Sequence, residues 1–492
     1  MRHPLLAPLF IAALFAPARL HAEAAAPGSA PARPAPPTIE DSLRRELGRA
    51  GGLTSDQVAA RAAVTSFDVR AREKEVSERA SEMDKALVGW FPRLTLTARY
   101  TRLSPITATG FGPSDANLVG TPAGEGPLPP GAPLIGVPAS AMSFPVILNQ
   151  YALQAALVVP VSDYLLRTSQ SYAAASRSRR AAELNARAAR LGAALSGRVV
   201  YYGWARAVLQ RIVAERTLAQ SNAHLDAARA AFDAERVSRA DVLRAESQAA
   251  SSELLVERAG NLVEVATEQL RTVMHDESGR RYEIGEALLE PMPRLRAGEF
   301  PRLYQEALAK RLEIRALDET AWSLREQRRA VSAGNYPRLD AFADAAYANP
   351  NQRYVPQEER WRATWDVGLQ VTWTPNELGT SRAAASALDA QVSRLEAEKA
   401  ALRDALRSEV MQSYQDVRSA QVAVDTTRRG LDAAEEGYRV RAEQYKYGRA
   451  TNLELIDAEA ELLRARLELI GAHLELRIAR AKLEHAVGRD VK

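Results

Sequence analysis

The chain of 492 residues contains no cysteine. That excludes disulfides, thiolate metal sites, a cysteine nucleophile and a lipidated N-terminal cysteine. Aromatic residues make up only 6% of it, while hydrophobic residues as a whole reach 46%. A chain so poor in aromatics and so rich in Ala, Leu, Glu and Arg suits long, closely packed helices better than a large globular core. Charge of one sign is lacking too. The 65 Lys and Arg against 61 Asp and Glu leave a net +4 with no basic block, so nucleic-acid binding has no support. The six histidines are scattered without metal-ligand spacing. With no phosphate loop and no triad-like arrangement, neither a metal, a cofactor nor an enzymatic activity is expected. Beyond the N-terminus no run approaches the roughly 18 apolar residues of a membrane-spanning helix.

What is present at the N-terminus reads as an export signal. Arg2 and His3 precede an apolar stretch from Leu5 to Phe15, and Ala22-Glu23-Ala24 offers a small-x-small cleavage site. Residues 1–24 are therefore assigned to a signal peptide and 25–38 to a Pro/Ala-rich linker.

The rest of the chain says the same thing twice, and internal repetition fixes architecture before any other signal. Phe91-Pro92-Arg93-Leu94 returns as Tyr336-Pro337-Arg338-Leu339, and residues 232–245 (FDAERVSRADVLRA) return as 445–458 (YKYGRATNLELIDA). Each unit, 39–299 and 300–492, runs helix, short strand, loop, short strand, very long helix, tight turn, helix. Period-two alternation predicts strands near 94–103, 150–160, 338–348 and 364–374. The Pro/Gly-rich segment 104–149 is expected to be a loop. Trp365 and Trp373 stand on one strand face, roughly 26 Å apart along the strand. Tyr100, Tyr151 and Tyr347 lie on the corresponding apolar faces. Barrels of the outer membrane carry an apolar band of about 25 Å bounded by such aromatics. A soluble sandwich with one buried face is the other reading, and only four strands between helices of about 100 Å argue against it. Val410, Val417, Val424, Leu431, Tyr438 and Tyr445 are spaced by seven, a coiled-coil register.

The hairpin tips, 232–241 and 445–454, carry paired signals. Ser238 with Asp241, and Thr451 with Glu454, have capping-box spacing. Glu454 and Asp457 share one helical face. From the residues alone these acids serve either the helix dipole or a ring of carboxylates where several copies meet.

At these residues the chain resembles the TolC-like outer-membrane efflux proteins. The most specific stretch is Tyr445-x-x-Gly448-x-x-Thr451-x-x-Glu454-x-x-Asp457-Ala458, and the resemblance covers about residues 40–488. It implies a mostly α fold with a small β part: long coiled-coil helices form a periplasmic tunnel, and four strands per chain complete a trimeric 12-stranded barrel set in outer-membrane lipid. It implies a passive duct of a tripartite efflux or type I secretion system in a Gram-negative bacterium, with an adaptor and an inner-membrane transporter as partners. It also implies that Asp241, Glu454, Asp457 and Tyr445 form a periplasmic gate. The turn residues Arg236, Val237, Ser238, Gly448, Arg449 and Thr451 would meet the adaptor, and the loop 104–149 would lie outside the cell. Two departures stand out. Ala450 occupies the place of the family's usual gate arginine, with Arg449 beside it, and Glu235 replaces the glycine usual in the first turn. A periplasmic coiled-coil scaffold or an adaptor is the alternative reading.

Overall fold

The computed structural model describes residues 47–105, 117–120, 130, 135–138, 147–296 and 298–489. The expected signal peptide and linker lie outside the described residues, as does most of 104–149.

In the first repeat, α1 (Ser55–Thr65) and α2 (Phe67–Val88) lead into strand β1 (Arg93–Arg102). The ribbon β2 (Asn117–Gly120) and β3 (Ile135–Pro138) follows, then β4 (Asn149–Val159). A π-helical turn at Tyr164–Thr168 opens α3, which runs unbroken from Ser169 to Asp233 and turns into α4 (Arg239–Met274). The second repeat is α5 (Phe300–Lys310), α6 (Leu312–Ser332), β5 (Arg338–Asn349), β6 (Arg362–Thr372), α7 (Glu377–Lys446) and α8 (Asn452–Val487). The 65 and 70 residues of α3 and α7 correspond to about 100 Å each at 1.5 Å per residue.

Each long helix is accompanied by shorter ones laid end to end. Helix α3 packs on α1 and α2 along one stretch and on α4 along another, while α7 packs on α5, α6 and α8. Both of the shorter helical runs break where sequence periodicity suggests continuity. Ser66 is extended (ψ 131°), and the break sets α1 against Gly197 of α3, where a Cβ would meet Ala59 and Ala62 at 3.1 Å. Arg311 is extended (ψ 122°) and donates to the last carbonyls of α8, His485 O at 3.3 Å and Ala486 O at 3.4 Å. A guanidinium satisfying orphan carbonyls at a helix C-terminus also complements the dipole. The largest apolar cluster, around Tyr201, Trp204, Leu209, Leu270, Ile284 and Leu474, sits where the first repeat's helices meet α8 and the 275–299 connection.

The four strands form one antiparallel sheet in the order β1-β4-β5-β6. Its register aligns Leu96, Ala155, Ala345 and Trp365 in one row and Leu94, Leu157, Ala343 and Val367 in the next. The apolar residues of all four strands therefore share a face, because side chains alternate with period two. That face is open: Leu96, Trp365, Val367, Leu369 and Val371 are each at least 66% exposed.

Candidate functional site

The two hairpin tips are built alike, residue for residue. In the first, Arg236 N donates to Ala231 O (2.9 Å) and Glu235 N to Phe232 O (2.8 Å); in the second, Arg449 N donates to Gln444 O (2.8 Å) and Gly448 N to Tyr445 O (2.9 Å). These are the two bonds of a Schellman motif, which needs a left-handed residue just past the helix. Gly448 takes that conformation at φ 68°, as does Glu235 at φ 57° in spite of its side chain. Capping boxes then start the return helices. Ser238 and Thr451 each accept from the N3 backbone, and Asp241 and Glu454 each accept from the cap's own N–H, at 3.1 and 2.8 Å. The Thr451 backbone bond is the main reason the Glu454 carboxyl is held below its usual range, with the Arg441 charge adding to it.

The tips also join each other. Asn452, 4% exposed, donates through Nδ2 to Asp241 O (2.9 Å) and bonds His224 Nε2 through Oδ1 (2.7 Å). With the amide nitrogen so committed, the oxygen faces the ring and His224 Nε2 is the donor. Tyr445 stands edge-on to His224, with centroids 5.3 Å apart. Its hydroxyl is buried without a hydrogen-bond partner among the described residues, and burial, then the Asp241 charge, push its pKa up. One heptad further along α8, Glu459 is 6% exposed, with Gln220 Nε2 at 3.4 Å from one carboxyl oxygen and no hydrogen-bond partner for the other among the described residues. Burial raises its pKa against the pull of His224 and of the Gln220 bond.

The expected site residues thus divide. Asp241 and Tyr445 meet at the seam between hairpins. Glu454 and Asp457 instead line a separate groove on the second hairpin with Arg441, Tyr438 and Glu461. Arg441 Nη1 lies 3.5 Å from Glu454 Oε1. The Arg449 side chain has no hydrogen-bond or ion-pair partner among the described residues, so the arginine that meets the tip acid comes from the preceding helix. Arg236, Val237, Gly448, Arg449 and Thr451 lie at the surface of the turns or near it. His224, Asn452 and Glu459 carry no motif that sequence inspection could use; only their polarity at positions packed between helices marks them.

At the far end of the molecule, Tyr100 and Tyr151 pair at 5.1 Å, and Trp361 stacks on Tyr347 at 4.9 Å and lies 6.1 Å from Tyr151. Trp361, in the loop before β6, completes a row of aromatics at one rim; sequence alternation overlooks it because it precedes the strand. Trp365 lies one row further in. From Trp361 to Trp373 is twelve residues, about 40 Å along a strand, and a tilt near 45° reduces that to about 28 Å across a membrane. Among the described residues no helix is long and apolar enough to cross one, and no cluster of His, Cys, Asp and Glu could hold a metal.

Residues 303–489 match the family described as outer membrane efflux protein. No curated protein matches the sequence. Among solved structures, the chain is similar to CusC, studied for its folding and transmembrane channel formation, with 14% identity over 94% of this chain and 99% of that one at a TM-score of 0.71. It is similar to the open-state MtrE outer membrane channel of Neisseria gonorrhoeae, with 17% identity over 89% of each chain and a TM-score of 0.70. It is also similar to the outer membrane protein VceC of Vibrio cholerae, with 15% identity over 93% of this chain and 100% of that one at a TM-score of 0.68. At these identities the structural likeness is one of fold. The second repeat thus matches the outer membrane efflux protein family, and the fold of the whole length, long paired helices joined to one small antiparallel sheet, is that of these outer-membrane channel structures.

Proposed function

We propose that three copies of this chain assemble into one continuous duct, three sheets of four strands closing a twelve-stranded barrel above a shared helical tunnel. The observation that carries this reading is the four-stranded sheet itself. Its outer strands, β1 and β6, each have one edge without a partner among the described residues, while one whole face is apolar and exposed. Unpaired backbone edges are not tolerated in lipid, so such a sheet must close. Four strands cannot enclose a channel and twelve can.

The duct is passive. Substrate enters from an inner-membrane transporter that supplies the energy, and an adaptor engages the turns at Arg236, Val237, Ser238, Gly448, Arg449 and Thr451. The tips form the gate. Asp241 and Tyr445, with His224 and Asn452, hold the two hairpins of one chain together. Glu454 and Asp457 present rings of carboxylates where the three chains converge. Opening requires the seam to part, and two hydrogen bonds, both through Asn452, tie His224 and the Asp241 carbonyl across it.

The test is the protein mass of the particle extracted from outer membranes in mild detergent, corrected for bound detergent. Three chains per particle support the shared barrel. A monomer, or protein released without detergent, removes the duct and leaves a coiled-coil scaffold.

A further inference from the structure

On the polar face of the sheet, Asp344 and Asp366 stand directly opposite each other on β5 and β6. Like charges in a cross-strand pair repel, and a sheet does not keep them without compensation. Asp344 has no hydrogen-bond or ion-pair partner among the described residues. Asp366 has one, and it comes from outside the strands. The connection between β5 and β6 folds back over the polar face, so that Arg353 Nη2 reaches Asp366 Oδ1 at 2.6 Å and Nη1 reaches Trp365 O at 3.2 Å.

What holds this hook is not the ion pair. Arg353 and Asp366 side chains are 54% and 40% exposed, and exposed pairs contribute little to stability. The fastening is Asn351, 5% exposed. Its Nδ2 donates to Arg362 O and to Thr364 Oγ1, both at 3.1 Å, and its Oδ1 accepts from Arg353 N at 3.0 Å. The hook's other end, Trp361, sits on the apolar face. The connection therefore straddles the rim, with its aromatic toward the lipid side and its guanidinium over the polar side. Beneath it lies a polar cavity lined by Arg99, Gln154, Asp344 and Asp366 among others.

The geometry points to Arg353 as the residue that sets charge selectivity at the outer mouth of the barrel, by cancelling one carboxylate of the Asp344–Asp366 pair. This rests on reading the polar face as the wall of the duct. In a closed barrel the pair would recur in every chain as an acidic belt, and a belt in a narrow polar mouth focuses its field on passing ions. With Arg353 engaged, half of the belt is neutralised and the remainder mildly favours cations. Release of Arg353 would double the belt's charge without moving a strand.

The absence of native cysteine makes a clean test available that does not depend on the periplasmic tip being open. A single reporter, Gln370→Cys, lies on the same face four residues inward of Asp366, about 13 Å along the strand. Its reaction rates with a cationic and an anionic methanethiosulfonate, added to intact cells, give a cation-to-anion ratio. Arg353→Ala raises that ratio roughly threefold or more, Arg353→Lys returns it to the parent value, and Asp366→Asn, which frees the guanidinium, lowers it. Equal ratios in all four proteins overturn the inference and leave the duct intact. So does labelling in detergent but not on cells, since the mouth would then be shut rather than selective. Failure of both charged reagents in detergent, with a neutral reagent still reacting, would show that the face is not lined by water and would remove the duct reading itself.

Discussion

His224 and Asn452 are 228 residues apart in the chain and 2.7 Å apart in space, and their hydrogen bond ties the first hairpin to the second. Asn452 extends the tie to the Asp241 carbonyl. Removing its side chain leaves a buried imidazole and a backbone carbonyl without their partner. Asn452→Ala should cost about 1–3 kcal/mol and loosen the tips. Thermal melting of the purified protein reads the first effect, and the conductance of the reconstituted channel, expected to rise, reads the second. Unchanged conductance with a lowered melting point would make the tie purely structural.

Glu459 gives the seam a pH dependence whose sign follows from its raised pKa. The native state holds the proton more tightly than the unfolded chain, so its contribution is fully favourable below the ordinary carboxylate range. It declines as pH rises from there through the raised native value. Glu459→Gln should flatten this slope and melt higher than the parent above neutrality. Melting curves from pH 4 to pH 8 check this, and parallel curves for the two proteins would refute it.

Glu235 holds a left-handed conformation that Gly448 holds without strain in the twin turn. Glu235→Gly should therefore stabilise by about 1 kcal/mol, and Gly448→Ala should destabilise by about as much. Denaturant titration of both variants measures the pair. A loss of stability in Glu235→Gly would mean that the glutamate side chain supplies something that outweighs its backbone strain.

Asp457 has no capping role, unlike Glu454, whose carboxylate is spent on Thr451. Asp457→Asn should reduce cation preference of the reconstituted channel while leaving its folding stability, read by denaturant titration, within about 0.5 kcal/mol of the parent. Selectivity identical to the parent would return Asp457 to the ordinary helix surface.

The legibility of the tips divides along the same line. The capping boxes could be read because donor and acceptor lie three residues apart and the bond is set by local backbone geometry. The pairing of Arg441 with Glu454 could not. It spans a turn, and which arginine faces the acid depends on how α7 and α8 lie against each other, which the place of Arg449 beside Ala450 does not reveal. Trp361 escaped because alternation identifies strand residues, not the loop that folds onto their rim. The breaks at Ser66 and Arg311 escaped because helical periodicity continues across both. What interrupts it is close approach to Gly197 in one case and the carbonyls at the end of α8 in the other.

The sequence by itself determined the repeats, the long helices, the alternating strands with one apolar face, and the two matched turns, since all of these follow from short-range sterics and from periods of 2 and 3.6. Tertiary structure alone decided which polar groups meet. His224 reaches Asn452, Arg353 reaches Asp366 and Glu459 is buried, because helix packing and the fold of one rim loop bring together residues that no local period relates.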